Sequence, residues 1–271
     1  MNRQPVVNGK FYPAEASQLR REIQGFLGPQ KDENRSSLLA MVPHAGIVFS
    51  GAVAGQTLIQ AGLQETVILI GPNHTGRGYP VALWPDGCWQ IPGASLPVNQ
   101  ELATALLAIN GVEKDYEAHL FEHSLEVLLP FLHQIQPKTS IVPLCLSNPN
   151  PQFLLSLGSG LAQVIKTWKT PVSLVISSDM SHFLPQQQTK DQDSLALAQI
   201  LALSPLGLYE VVRRKRVSMC GVLPMVTGLQ AALSLGASFA RLCAYATSGE
   251  VTGDYERVVG YAGVLVGSEQ L

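Results

Sequence analysis

The strongest constraint on the fold of this chain is a set of short apolar runs that do not alternate. Of the runs 38–42, 66–70, 81–84, 140–146, 172–177, 241–247 and 258–266, most are nearly continuous in Val, Ile, Leu and Ala. A strand with one wet face alternates apolar and polar residues. A run without alternation fits a strand buried on both faces, as in a sheet sandwiched between helices. Helical patterns lie between the runs, at residues 14–26, 51–61, 99–108, 125–134, 151–168, 188–202 and 224–235. Strands alternating with helices predict the α/β class, here a three-layer α/β/α arrangement around a largely parallel or mixed central sheet. The last two runs flank a segment holding Gly249 and Gly253, so they are expected to pair as neighbours at one end of the sheet. The stretch 85–97 is rich in chain breakers and reads as a long surface excursion. No composition shift, linker or repeat divides the sequence, so one domain is expected over residues 1–271.

Composition narrows the functional classes. Hydrophobic residues make up 46% and charged residues 14%, which supports a substantial core and excludes a disordered chain. The net charge of −2 gives no basic field to hold nucleic acid or an anionic membrane. No apolar run reaches the roughly 18 residues needed to cross a bilayer, and residues 1–10 lack the apolar stretch of a secretion signal. A cytoplasmic protein with neither nucleic acid nor membrane as partner is expected. The four cysteines, Cys88, Cys145, Cys220 and Cys243, form no CxxC pair and are expected to stay reduced. Cys145 and Cys243 fall within apolar runs and read as packing thiols.

In an open α/β sheet, ligands bind in the crevice beyond the carboxyl ends of the strands. The polar residues that directly follow the apolar runs are therefore informative. The first run leads into Pro43, His44, Ala45 and Gly46, and the second into Gly71, Pro72, Asn73 and His74. The run 172–177 leads into Ser178, Asp179, Met180, Ser181 and His182. Three of the six histidines thus follow three strand ends. A single histidine in such a place is more often a hydrogen-bonded structural residue. Three in one topological position point to a pocket, because neutral imidazole is the commonest metal ligand near neutral pH.

Two further groups stand out. Glu122, His123 and Glu126 open the helical pattern at 125–134, and the glutamates are explained by the positive end of a helix dipole. His123 is not explained that way and is a candidate pocket residue together with Glu122. Cys220 follows Arg213, Arg214, Lys215 and Arg216 and precedes a helical pattern. A thiol near cations and a helix N-terminus is expected to ionise readily and to make a soft ligand. The plainer reading is a small packing residue after a solvated basic helix face.

Six motifs occur in an order that resembles the Memo family: Phe11-Tyr12-Pro13, Pro43-His44-Ala45-Gly46, Gly71-Pro72-Asn73-His74, Glu122-His123-Ser124-Leu125-Glu126, Ser177-Ser178-Asp179-Met180-Ser181-His182 and Cys220-Gly221. The sequence is similar to the prokaryotic branch often called AmmeMemoRadiSam system protein B. The resemblance implies the fold of class III extradiol (LigB-like) dioxygenases, which use a non-haem Fe(II). It also implies His44, His74 and Cys220 as metal ligands, with Asp179 and His182 beside them and His182 at the position of an acid/base. A cysteine in the third place departs from the two histidines and one carboxylate of the dioxygenases. The resemblance further implies association with radical SAM and AMMECR-type proteins.

Three functions fit these residues. The first is a metal-dependent redox enzyme holding Fe(II) or copper, in which His182 moves protons and Asp179 orients it or adds a ligand. The second is a non-enzymatic metal- or peptide-binding protein using the same pocket. The third is a zinc hydrolase, since two imidazoles and a thiolate with an open fourth position also suit Zn²⁺. In each, a small-molecule or peptide ligand enters the metal pocket.

Overall fold

The apolar runs become the central strands of one mixed sheet. The structure, a computed structural model, describes residues 1–28 and 37–269. In chain order the strands are β1 (Leu39–Val42), β2 (Thr66–Pro72), β3 (Val81–Leu83), β4 (Cys88–Ile91), β5 (Ala94–Pro97), β6 (Glu113–Lys114), β7 (Ser140–Leu146), β8 (Val172–Ser177), β9 (His182–Leu184), β10 (Phe239–Thr247) and β11 (Val258–Gly267). The helices are α1 (Ala16–Phe26), α2 (Ile47–Ile59), α3 (Gln100–Leu106), α4 (Glu117–Leu120), α5 (Leu129–Ile135), α6 (Pro151–Thr167), α7 (Gln186–Leu201), α8 (Pro205–Lys215), α9 (Val222–Ser234) and α10 (Gly249–Thr252).

The sheet runs β10-β11-β1-β8-β2-β7-β3-β6, and β9 pairs with β11. Its centre, β1-β8-β2-β7, is parallel. Every residue of β1, β2 and β8 is buried, which is why their sequences do not alternate. The outer pairings β1-β11, β10-β11 and β3-β7 are antiparallel. The expected pairing of the last two strands is therefore present at one end. Helix α2 packs on β1, β10 and β11, and α9 packs on β1, β8, β2 and β7. Gly263 of β11 permits the close approach of α2, because a Cβ there would lie 1.8 Å from Thr57 Oγ1.

Several local expectations change. The stretch 85–97 is not a surface excursion: β4 and β5 form a hairpin whose Trp89 and Leu96 are buried in the core. Trp89 meets the Trp84 ring edge-on and lies under the Arg3 guanidinium. Helix α2 starts at Ile47, ahead of the sequence pattern, since the apolar Ile47-Val48-Phe49 joins its first turn. The pattern at 125–134 opens as a 3₁₀ turn, Glu126–Leu128, before α5. Residues 205–215 form α8, so the basic run Arg213-Arg214-Lys215 occupies its last turn, where cations complement the helix dipole. Cys145 is buried as expected, but Cys243 is only half-buried because β10 is an edge strand.

Candidate metal centre

Because β1, β8 and β2 are adjacent and parallel, the segments that follow them leave the sheet at one edge. This is the physical reason His44, Asp179 and His74 converge. Val42 pairs with Ser177 across β1 and β8, so the last serine of β8 faces the residue that introduces His44.

His44 is buried, and its ring is fixed by a chain of acceptors. Ser177 Oγ donates to the Ser124 carbonyl at 2.6 Å and lies 2.7 Å from His44 Nδ1. A carbonyl only accepts, so the single hydroxyl proton is committed to Ser124. Ser177 therefore accepts from His44 Nδ1–H, so the lone pair lies on Nε2, which faces the Cys220 thiol at 3.5 Å. Burial, only partly offset by the Asp179 carboxylate, holds the His44 pKa down at about 4, so the ring is neutral at pH 7.

His74 reaches the same tautomer by a different route. Its Nδ1 lies 2.9 Å from Glu122 Oε1, and its amide donates to Glu122 Oε2. Burial works against the Glu122 carboxylate, but the His74 ring and the amides of His74 and Ser124 outweigh it and bring its pKa to about 2. An ionised carboxylate only accepts, so His74 Nδ1 donates, and in the neutral ring the lone pair lies on Nε2. Burial disfavours the His74 imidazolium, yet the hydrogen bond and charge of Glu122 outweigh that too, and its pKa is raised.

His123 completes the cluster. Its amide donates to Glu122 Oε1 at 2.9 Å, and its ring stacks on His74 with centroids 4.9 Å apart. Phe11 closes the other side with an edge contact at 4.8 Å. Burial lowers the His123 pKa, with Glu122 offsetting part of the effect. Donor atoms of His44, His74 and His123 all lie within 4.8 Å of one another.

Three sequence expectations meet their geometry here. First, the donor atoms that lie close together are those of three imidazoles, so His123 joins His44 and His74. Cys220 Sγ lies 3.5 Å from His44 Nε2, so it borders the cluster. Second, the basic run does not make Cys220 acidic. Burial and then the Asp179 charge push its thiol well up, while the cations lie on α8, beyond the turn that carries it. Third, a helix dipole does not account for Glu122 and Glu126: Glu122 holds the histidines, and Glu126 faces elsewhere. Glu126 forms a buried ion pair with Arg3 at 2.7 Å and accepts from Tyr12 and from the Val6 and Val7 amides, tying down the N-terminal segment.

Asp179 and His182 part company. Asp179 Oδ1 accepts the His44 amide at 2.8 Å, and Oδ2 lies 4.0 Å from His44 Nε2, so this carboxylate orients His44 rather than His182. His182 Nδ1 lies 2.9 Å from the Ser218 carbonyl, and its amide donates to Ser218 Oγ. The acceptor is again a carbonyl, so His182 also carries its proton on Nδ1. The turn between α8 and α9 thus grips both neighbours: the Asp179 amide lies 3.2 Å from Cys220 Sγ, and the Gly221 amide 3.1 Å from Ser178 Oγ. Gly221 is needed there, because a Cβ would sit 2.4 Å from the Ser177 carbonyl. Nothing in the sequence singles out Ser177 or Ser218 for these roles, since a serine's importance depends on which ring it meets.

Comparison with known proteins places the whole arrangement within one family. The family described as Memo-like protein matches residues 3–265. A MEMO1 family protein of Methanopyrus kandleri is 39% identical over 98% of this chain and 99% of its own length. One from Thermotoga maritima is 35% identical over 98% of this chain and 100% of its own. Among solved structures, an uncharacterised protein of Escherichia coli K12 aligns with a TM-score of 0.58 at 13% identity. That alignment covers 83% of this chain and 98% of the other, and at such identity it concerns the fold alone.

Proposed function

This chain belongs to the Memo-like protein family, and on that premise we propose that it is a metal-dependent redox enzyme. His44, His74 and His123 would hold the ion, with Cys220 as an adjacent soft donor. One observation carries the reading: the Nδ1 atoms of His44 and His74 are committed as donors, so in the neutral rings Nε2 is the atom that can bind a cation. Metal-binding histidines are usually oriented in this way by a carboxylate or another acceptor behind the ring. Glu122 fills that role for His74, and Ser177 for His44.

Imidazole and sulfur donors suit iron, copper and zinc alike; the resemblance to the dioxygenases puts Fe(II) first and copper next, and such an ion when bound would supply O₂ or substrate activation. The chain's own residues supply the rest. Asp179 holds the His44 backbone in place and adds negative charge beside the ring. His182, with its proton on Nδ1, offers Nε2 as a base and is the proton-transfer group of this reading. Phe11 shields one side of the histidines from water. Phe121 and Phe183 are 60% and 62% exposed and carry Arg77 and Arg257 over their rings, giving a small-molecule or peptide ligand apolar and cationic surface to meet. Association with radical SAM and AMMECR-type proteins belongs to the same reading.

Anaerobic purification, metal quantification and an O₂-consumption assay test it. Iron or copper at one ion per chain, with turnover, is the expected result. A second reading, a zinc hydrolase, is supported by the three-histidine donor set, which also suits catalytic Zn²⁺. Zinc with hydrolysis would replace the redox reading. Metal without any turnover would leave a metal- or peptide-binding protein.

A further inference from the structure

The Asp179–His182 turn is clamped from behind by a residue outside the metal centre. Asp193 of α7 is fully buried, and among the described residues it belongs to no ion pair. Its Oδ1 accepts the Ser181 amide at 2.9 Å, and its Oδ2 accepts the Tyr245 hydroxyl at 2.7 Å. The opposite side of the same two residues is held by β11. The Met180 amide donates to the Gly260 carbonyl, and the Gly260 amide donates to the Ser181 carbonyl, both at 2.9 Å. Space for the carboxylate exists only because Gly260 has no side chain: a Cβ there would lie 2.0 Å from Asp193 Oδ2.

The clamp therefore sits between the two residues with chemistry. Asp179, two positions before Ser181, is bound to the His44 amide, and His182, one position after, is bound to Ser218. A buried carboxylate without a cation is costly, and burial raises the Asp193 pKa. We propose that Asp193 is a positioning residue for the pocket: by fixing the Ser181 amide it sets the Asp179–His182 turn and holds the His182 imidazole in its Nδ1–H form against Ser218. For its catalytic consequence the proposal rests on His182 as the proton-transfer group. For its structural consequence it does not.

The test reads the His182 tautomer by ¹⁵N imidazole NMR in the metal-free full chain, so it needs neither metal nor substrate. The parent protein should show His182 with a single Nδ1–H tautomer. Asp193→Ala should shift it toward the Nε2–H form that solvated imidazoles favour. Asp193→Asn should restore the parent spectrum, because the amide oxygen can accept from Ser181 while its NH₂ donates to the Tyr245 oxygen. Ile200→Ala, a buried truncation on the same helix, should lower Tm and leave His182 unchanged. If Asp193→Ala does not fold, Asp193→Ser gives the same reading, since its hydroxyl is too short to reach Ser181. An unchanged His182 spectrum in the folded Asp193 variant overturns the positioning role and leaves the metal reading untouched. Failure of the parent protein to bind metal would overturn that reading and leave the NMR result standing.

Discussion

Replacing Glu122 by Gln is the most informative single perturbation, because four donors converge on its carboxylate. Oε1 accepts from His74 Nδ1, from the His123 amide and from the Ser124 amide, each at 2.9 Å, while Oε2 accepts the His74 amide. Glutamine has one acceptor oxygen and one NH₂ donor. If its oxygen takes the Oε1 position, NH₂ faces the His74 amide, donor against donor. If it takes the Oε2 position, NH₂ faces His74 Nδ1, and the ring must move its proton to Nε2, which removes the lone pair offered to a metal. Two routes give the magnitude. Lowering the Glu122 pKa from 4.5 to about 2 corresponds to roughly 3 kcal/mol favouring the folded carboxylate. Losing one charge-assisted bond and leaving its donor unpaired costs on the order of 2–5 kcal/mol. Together they predict a fall in Tm on the order of 4–20 °C for a chain of this size. Metal affinity should drop by about 10- to 100-fold, as for other residues that orient a metal-binding histidine. The sign with pH follows from a depressed pKa: the stabilisation is complete above the unfolded value of 4.5 and is lost as pH falls toward about 2. The difference in stability between Glu122→Gln and the parent protein should therefore be full at pH 7 and shrink in acid. Denaturant melts at pH 7 and pH 3, with a chelator-competition titration using Zn²⁺, check both quantities. Parent-like stability and metal affinity in Glu122→Gln would refute the donor accounting.

The remaining expectations concern the neighbouring groups. His123→Ala should reduce Zn²⁺ affinity in a competition titration more than Cys220→Ser does; the opposite order would give the third metal position to Cys220. Burial depresses His44 and His119 to about 4, so each contributes stability above pH 6.5 that is lost as pH falls toward 4. Chemical denaturation between pH 7 and pH 4 should show that loss, and His119→Gln, which leaves the metal centre intact, should reduce its slope. His182→Ala should leave metal content unchanged while turnover falls on the order of 10²- to 10⁴-fold; loss of metal would instead make His182 a ligand. Gly221→Ala should displace the turn that carries Cys220 and Ser218, read as a changed Cys220 reactivity toward a thiol reagent.

The sequence determined the layers of this protein, because burial on both faces leaves a direct record in composition. Runs such as Thr66–Pro72 and Val172–Ser177 are mostly apolar without alternation and buried at every position, and only a sheet covered on both sides makes that favourable. It also determined which residues lie at the mouth, since His44, His74 and Asp179 follow strands whose parallel pairing carries them to one edge. Side-chain partnership left no such record. That His123 joins the two strand-end histidines depends on the segment around Ser124 meeting the end of β2, where Ser124 Oγ bonds the Pro72 carbonyl. That Glu126 faces Arg3 while Glu122 faces His74 depends on the chain leaving helical geometry between them, and a spacing of four reads the same in either case. The tautomers of His44 and His182 depend on a hydroxyl already committed to Ser124 and on the carbonyl of Ser218. Only the tertiary structure decided these points, because a hydrogen bond is fixed by distance and direction between groups remote in sequence, whereas burial acts on every residue of a strand at once.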